Sequence, residues 1–102
     1  MLLKGEFKTR KVWIDGLELL PQKSMRVRLH SPDGFFWGYG GSAPSQLALA
    51  ILLEGTTENV ALSLYQKFKQ EILAPLPMED FEGIVNVDEW IKNNTSGMYG
   101  YE

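Results

Sequence analysis

A glycine-rich segment that leads into an apolar helix contains the residues best suited to ligand chemistry. Gly38, Gly40 and Gly41 directly precede Ser42 and Pro44. Glycine serves where φ must be positive or where another group approaches the backbone. Ser42 is a good N-cap, and Pro44 then falls in the first helical turn. The free N–H groups and positive dipole of such a helix end would hold a phosphate or carboxylate. Alternatively, the glycines only turn the chain sharply.

The predicted ligand site combines this turn with neighbouring side chains. Its ligand would be an anion, nucleotide-like, with a base stacked on an aromatic ring. Tyr39 and Gln46 would be polar contacts and Trp37 a packing wall, while Arg10, Arg26 and Arg28 are candidate sources of charge. The alternative is that the aromatic rings are simply buried. The predicted ligand-binding residues are Trp37, Tyr39, Gly40, Gly41, Ser42 and Gln46.

No set of side chains predicts catalysis or metal binding. His30 is the only histidine, without a cysteine to join it, and is expected to be a surface or half-buried polar residue. Ser42 and Ser45 lack the spacing of a hydrolase nucleophile. The carboxylates of segment 79–82 are typical of a solvated loop. We therefore predict no catalytic residue, no metal and no cofactor, and we consider enzymatic activity unfavoured.

The composition is that of one globular domain. The chain has 102 residues, of which 44% are hydrophobic and 12% aromatic, and it has no cysteine that could form disulfides. We expect a single domain at 1–92 followed by a flexible tail at 93–102. No apolar run has membrane-spanning length and the start is too short for a signal sequence, so a cytoplasmic location without membrane contact is expected.

The charge is acidic overall and unevenly spread. The net charge is −3, with +3 in residues 1–35 and −6 in residues 36–102. General nucleic-acid binding is not expected, because it usually requires a strongly basic domain. The uneven distribution could steer an anionic partner to one face.

The elements that must position the site begin with strands. Segment 4–14 ends in an alternating run, and Asp15-Gly16 is a turn signal before Leu17–Leu20, which together predict an N-terminal hairpin. The alternation over Arg26–His30 predicts a half-buried strand, and Phe35–Trp37 would form the strand that returns from a second turn. A further short strand is expected around Phe81–Val85.

Helices are predicted after the glycine turn. A central helix follows the Ser42 N-cap and continues to Glu54, and a second one from about Glu58 to Leu73 is capped by Thr57. Lys69 is assigned to its solvated face. Asp88 is expected to cap a short last helix. The fold class is therefore α+β, with a small, mostly antiparallel sheet of three to five strands, two main helices on one face and a short C-terminal helix.

One block resembles a known domain family. The segment Trp37–Ser42, followed by Pro44 and Gln46–Leu52, is similar to a small uncharacterised domain family of bacteria, phages and mobile elements. The likeness extends through Tyr65–Lys69 to Trp90-Ile91. It implies a stand-alone cytoplasmic domain of unknown function. A fainter resemblance is to viral ring nucleases, which bind cyclic oligoadenylate; where they carry a histidine this chain has Tyr39, which argues against cleavage.

Three functional hypotheses follow. The leading one is non-enzymatic binding of an anion by a small phage or mobile-element accessory protein. The second is a protein–protein interaction module, such as an inhibitor of a host defence factor, for which the five acids of segment 79–89 and a homodimer are relevant. The third is a nucleotide hydrolase, with Tyr39 as a weak base. A concave pocket at the turn would favour the first, and an exposed apolar patch or self-association the second.

Overall fold

The computed structural model describes residues 1–95 and shows an open sheet packed against helices. The strands are β1 (Leu2–Glu6), β2 (Lys11–Ile14), β3 (Leu17–Leu19) and β4 (Phe81–Ile84). The helices are α1 (Gln22–Val27), α2 (Ser42–Gly55), α3 (Glu58–Phe68) and α4 (Val87–Thr95), and α3 continues into a π-helical segment at Lys69–Leu73. This architecture confirms the predicted α+β class.

The four strands form one antiparallel sheet in the order β3-β2-β1-β4. The predicted hairpin is confirmed as β2 and β3. Its turn places Asp15 and Gly16 at φ values of 51° and 85°, the positive pair that suits a tight hairpin turn. The predicted C-terminal strand is confirmed as β4, which pairs with β1 and forms one edge of the sheet.

The core lies between one face of the sheet and α2. Leu3, Val12 and Leu19 are buried on that face and belong to one apolar cluster with α2. Every residue of α2 from position 43 to 53 is buried, as its nearly all-apolar sequence predicts. The α3 helix packs beside α2, and Thr57 caps it by accepting a hydrogen bond from the Val60 N–H at 3.4 Å.

The strand predicted at Arg26–His30 is wrong. Residues up to Val27 belong to α1, and segment 28–31, which begins with the extended residue Arg28, pairs with no strand. Its polar backbone groups bind the side chain of Gln46, which accepts from the N–H groups of His30 and Ser31 and donates to the Arg28 carbonyl. The Gln46 side chain thus provides the hydrogen-bond partners that a neighbouring strand would have provided.

The return strand predicted at Phe35–Trp37 is also wrong. This segment has no ladder of hydrogen bonds and is a loop that packs into the core. The rings of Phe35 and Trp37 are fully buried, so burial of apolar area holds it in place without a strand partner.

Two predicted caps differ in the structure. Gly41 takes the N-cap position of α2 and Ser42 is the first helical residue, with no side-chain cap. At α4 the cap is Asn86, whose Oδ1 accepts from the Glu89 N–H at 3.0 Å, and Asp88 lies inside the first turn. The predicted tail overlaps α4 at residues 93–95, and positions 96–102 lie outside the described residues. Among the described helices, none combines the length and the apolar character needed to cross a bilayer.

Candidate functional site

The glycine turn joins α2 to the end of α3. Gly38 has φ +88° and donates its N–H to the Leu73 carbonyl at 3.0 Å. A Cβ at this position would lie 2.5 Å from Met78 Cγ and 3.1 Å from the Leu76 oxygen. Gly38 is therefore explained by its backbone conformation and by the close packing around it. At Gly40, by contrast, an added Cβ would meet only the Gln70 side chain, at 3.7 Å.

At the start of α2, backbone N–H groups lack a partner among the described residues, although Ala43 itself is only 6% exposed. The first hydrogen bond of the helix runs from the Ser45 N–H to the Gly41 carbonyl at 3.2 Å. Within residues 1–95, the N–H groups of Ser42 and Ala43 donate to no other residue, and Pro44 has none. Ser42 is exposed. Two backbone donors and the positive end of the helix dipole are thus available at this point.

A buried lysine faces the turn from the neighbouring helix. Lys69 is only 7% exposed, and its Nζ lies 3.4 Å from the Gly40 carbonyl oxygen. No carboxylate of the described residues lies within ion-pairing distance of it, since the two ion pairs found are Lys23–Glu54 and Lys67–Glu71. Lys69 opens the π-helical segment, where the Ala74 N–H bonds to its carbonyl at 2.8 Å. Such segments are frequent at functional sites.

Three polar side chains adjoin Lys69. His30 Nε2 lies 2.6 Å from the Tyr65 hydroxyl, and Arg28 Nη1 donates to the same hydroxyl at 3.4 Å. Burial lowers the pKa of His30 below its ordinary value, and the positive charges of Arg28 and Lys69 lower that pKa further. Both effects favour the uncharged form of the His30 imidazole. We call Arg28, His30, Tyr65 and Lys69 the basic cluster.

Gln46 positions part of this cluster and has no capacity left for a ligand. It is fully buried. Its Oε1 accepts from the N–H groups of His30 at 2.7 Å and Ser31 at 3.1 Å. Its Nε2 donates to Ser24 Oγ at 2.9 Å and to the Arg28 carbonyl at 3.1 Å. A glutamine offers two acceptor and two donor positions, and all four are used.

Trp37 is buried in the core and does not reach the surface at the turn. It has no exposed surface, and its Nε1 donates to the Glu79 carbonyl at 2.9 Å. Its ring stands edge-on to Phe81 with centroids 4.9 Å apart. Tyr39 is exposed, at 39%, and its ring lies against Gly41.

The structure therefore divides the six predicted site residues into two groups. Tyr39 and segment 40–42 lie together at the surface beside the start of α2, whereas Trp37 and Gln46 are buried beneath it.

Lys69 and Tyr65 were not among the predicted residues, and the assignment of Lys69 to a solvated face is wrong. Ala61, Tyr65 and Lys69 are spaced four apart, so they share the face of α3 that packs on α2. That spacing indicated that Lys69 lies on the buried face. The prediction placed Lys69 in solvent because its side chain is charged.

The larger cavities lie elsewhere. One of about 710 Å³ adjoins the β2–β3 hairpin, and one of about 610 Å³ adjoins Phe7 and Asp80. Neither the basic cluster nor the start of α2 lines these cavities, so the concave pocket that would favour the anion hypothesis is not among them. Over residues 1–95, no group of three or more histidine or carboxylate side chains is arranged to hold a metal ion.

Comparison with known proteins identifies a family but no activity. A family model described as "Family of unknown function (DUF6166)" matches residues 3–93. No curated protein and no solved structure matches the chain.

Proposed function

Because the chain belongs to this family of unknown function, we propose its function from the geometry alone: it is a small binding domain that holds an anionic, nucleotide-like ligand at the start of α2. The phosphate would lie against the free N–H groups of Ser42 and Ala43. Lys69 and Arg28 would supply positive charge, and His30 would face the same anion.

The burial of Lys69 without a carboxylate partner is the observation that carries the proposal. Removing an ammonium group from water costs free energy unless an opposite charge or several hydrogen bonds replace the water. Within the described residues, Lys69 has one neutral acceptor, Gly40, and no counter-charge. A bound anion beside Gly40 would supply that charge.

The helix end adds a second attraction for the same group. Unused N–H donors and the positive end of the dipole favour an anion in the first turn of a helix. The turn and Lys69 are adjacent through the Gly40 carbonyl, so one phosphate could contact both. Arg28 contributes a planar group that suits paired hydrogen bonds to phosphate oxygens.

Tyr39 favours a nucleotide over a simple anion. Its ring lies against Gly41, next to Ser42, and is partly exposed. A base attached to a phosphate at Ser42 could stack on this ring, an interaction that every base can make. As part of the proposal we place this domain in the cytoplasm, in a phage or mobile-element setting, on the resemblance of the Trp37–Ser42 block.

Isothermal titration with ATP and with inorganic phosphate at low salt tests the proposal. We expect wild-type protein to bind both, ATP more tightly, and Lys69→Met to weaken binding about tenfold or more through loss of a charged contact. Lys67→Met is the matched control, because Lys67 is exposed and two residues away; its affinity should stay within about twofold. Absence of binding, or equal affinity of Lys69→Met and wild type, would refute the site.

A second measurement distinguishes ATP hydrolysis from binding without hydrolysis. The His30 imidazole adjoins the site, and its lowered pKa favours the uncharged form, which can accept a proton. Steady release of phosphate from ATP that disappears in His30→Gln would replace binding by hydrolysis as the function. Binding without release supports the binding domain.

A further inference from the structure

An apolar groove lies between the β2–β3 hairpin and α1. Its cavity measures about 710 Å³ and includes Met1, Ile14 and Leu19. Two leucines border it, Leu17 at 76% and Leu20 at 58% exposed. Neighbouring apolar side chains left in water are typical of an interaction surface.

The two walls of the groove carry opposite charges. The hairpin wall has Asp15 and Glu18, and the α1 wall has Lys23 and Arg26. Lys23 makes an ion pair with Glu54 at 3.7 Å. Across the part of the chain that the structure describes, neither Glu18 nor Arg26 makes an ion pair.

We propose that the occupant of this groove is a second copy of the chain, related by a two-fold axis. In such an interface the same surface of both copies meets, so the acidic hairpin of each copy lies against the basic α1 of the other. Leu17 and Leu20 of the two copies would form the apolar centre and the charged residues the rim. A partner with one sign of charge would be repelled by one wall, whereas a second copy complements both.

The proposed dimer does not depend on the proposed anion site. The groove is lined by the hairpin, α1 and Glu54, and none of its residues belongs to the basic cluster or to segment 39–43. Dimer formation should therefore leave phosphate affinity unchanged, and failure of either proposal would be visible without the other.

Sedimentation equilibrium over a concentration series provides the test. Wild-type protein should show a reversible monomer–dimer equilibrium. Leu17→Ser should raise the dimer dissociation constant about tenfold or more, because truncating a central apolar residue is costly. Ile84→Ser is the matched control: Ile84 is an 82% exposed apolar residue on the opposite edge strand, and its variant should dimerise as the wild type does.

Charge reversal distinguishes this interface from any other. Glu18→Lys alone and Arg26→Glu alone should each weaken self-association, because each homodimer then places like charges opposite one another. An equimolar mixture of the two variants should dimerise again, because both contacts between unlike chains become attractive. A wild type that stays monomeric at all concentrations would overturn the proposal. So would a dimer that Leu17→Ser leaves intact, or a mixture of Glu18→Lys and Arg26→Glu that does not dimerise.

Discussion

The ammonium nitrogen of Lys69 lies 3.4 Å from the carbonyl oxygen of Gly40. This contact joins the π-helical end of α3 to the turn that precedes α2. It directs a positive charge at the point where the helix leaves its backbone donors unused. The contact therefore defines a site that the glycine turn alone does not, because glycines and a helix end also serve to turn a chain.

Replacement of Lys69 should separate stability from binding. Lys69→Met keeps most of the buried hydrocarbon and removes the charge. We expect the free energy of unfolding to be unchanged or higher by up to about 1 kcal/mol, because the desolvation cost is relieved while one hydrogen bond is lost. Urea denaturation measures it. A fall of more than about 2 kcal/mol in the free energy of unfolding would show that Lys69 has a structural role and would count against the proposed anion site.

Gln46 should be among the most sensitive polar positions in the fold. Gln46→Leu would leave the N–H groups of His30 and Ser31 and the Arg28 carbonyl without their partner, at a cost of about 3 kcal/mol. Gln70→Leu, at an exposed amide, is the control and should change stability by less than about 0.5 kcal/mol. Equal denaturation midpoints for the two variants would contradict the role of Gln46.

The glycines of the turn should differ in their tolerance of alanine. Gly38→Ala combines a positive φ with close contacts to Met78 and Leu76, and it should destabilise the fold by about 1–3 kcal/mol. Gly40→Ala should fold within about 0.5 kcal/mol of wild type, because space is open there. Thermal unfolding of the pair checks this, and similar losses at both positions would show that the whole turn is constrained.

Stability should decline on acidification through His30. Its pKa is lower in the folded protein, so below about pH 6.5 the unfolded chain takes up the proton more readily and unfolding is favoured. Above that pH both states are neutral and the group contributes no pH dependence. The wild type should therefore lose more stability than His30→Gln between about pH 7 and pH 5.

Phosphate should oppose this effect. A bound anion favours the protonated imidazole, so saturating phosphate should raise the His30 pKa and shift the acid transition to lower pH. NMR titration of the single histidine ring follows it directly. A His30 pKa that is equal with and without phosphate would place the anion elsewhere.

The local elements were predictable because their signals are local. Asp15-Gly16 specifies a tight turn by itself, and the uninterrupted apolar run Leu47–Leu53 requires a buried helix. Thr57 and the spacing of three and four from Val60 onward predict α3 in the same way. Each of these patterns is complete within one turn or one helix length.

The two incorrect strands depend on contacts that are distant in sequence. The alternation of Arg26–His30 predicts a strand, but the backbone from Arg28 onward is paired by the side chain of Gln46, which the alternation cannot indicate. Phe35–Trp37 has the composition of a strand, yet Phe35 and Trp37 are buried in the core without a strand partner. In both cases tertiary contacts, and not the local pattern, decided the conformation.

The sequence by itself determined the glycine turn, the helix that follows it and therefore an open helix end with free donors. Only the tertiary structure decided which side chains face that end. Arg28 and His30 lie more than thirty positions from Tyr65 and Lys69, and they meet because Gln46 binds the first pair to α2 while α3 packs its 61–65–69 face beside the same helix. The sequence shows only a lysine among apolar residues and a single histidine. Tertiary packing brings both side chains close to Tyr65.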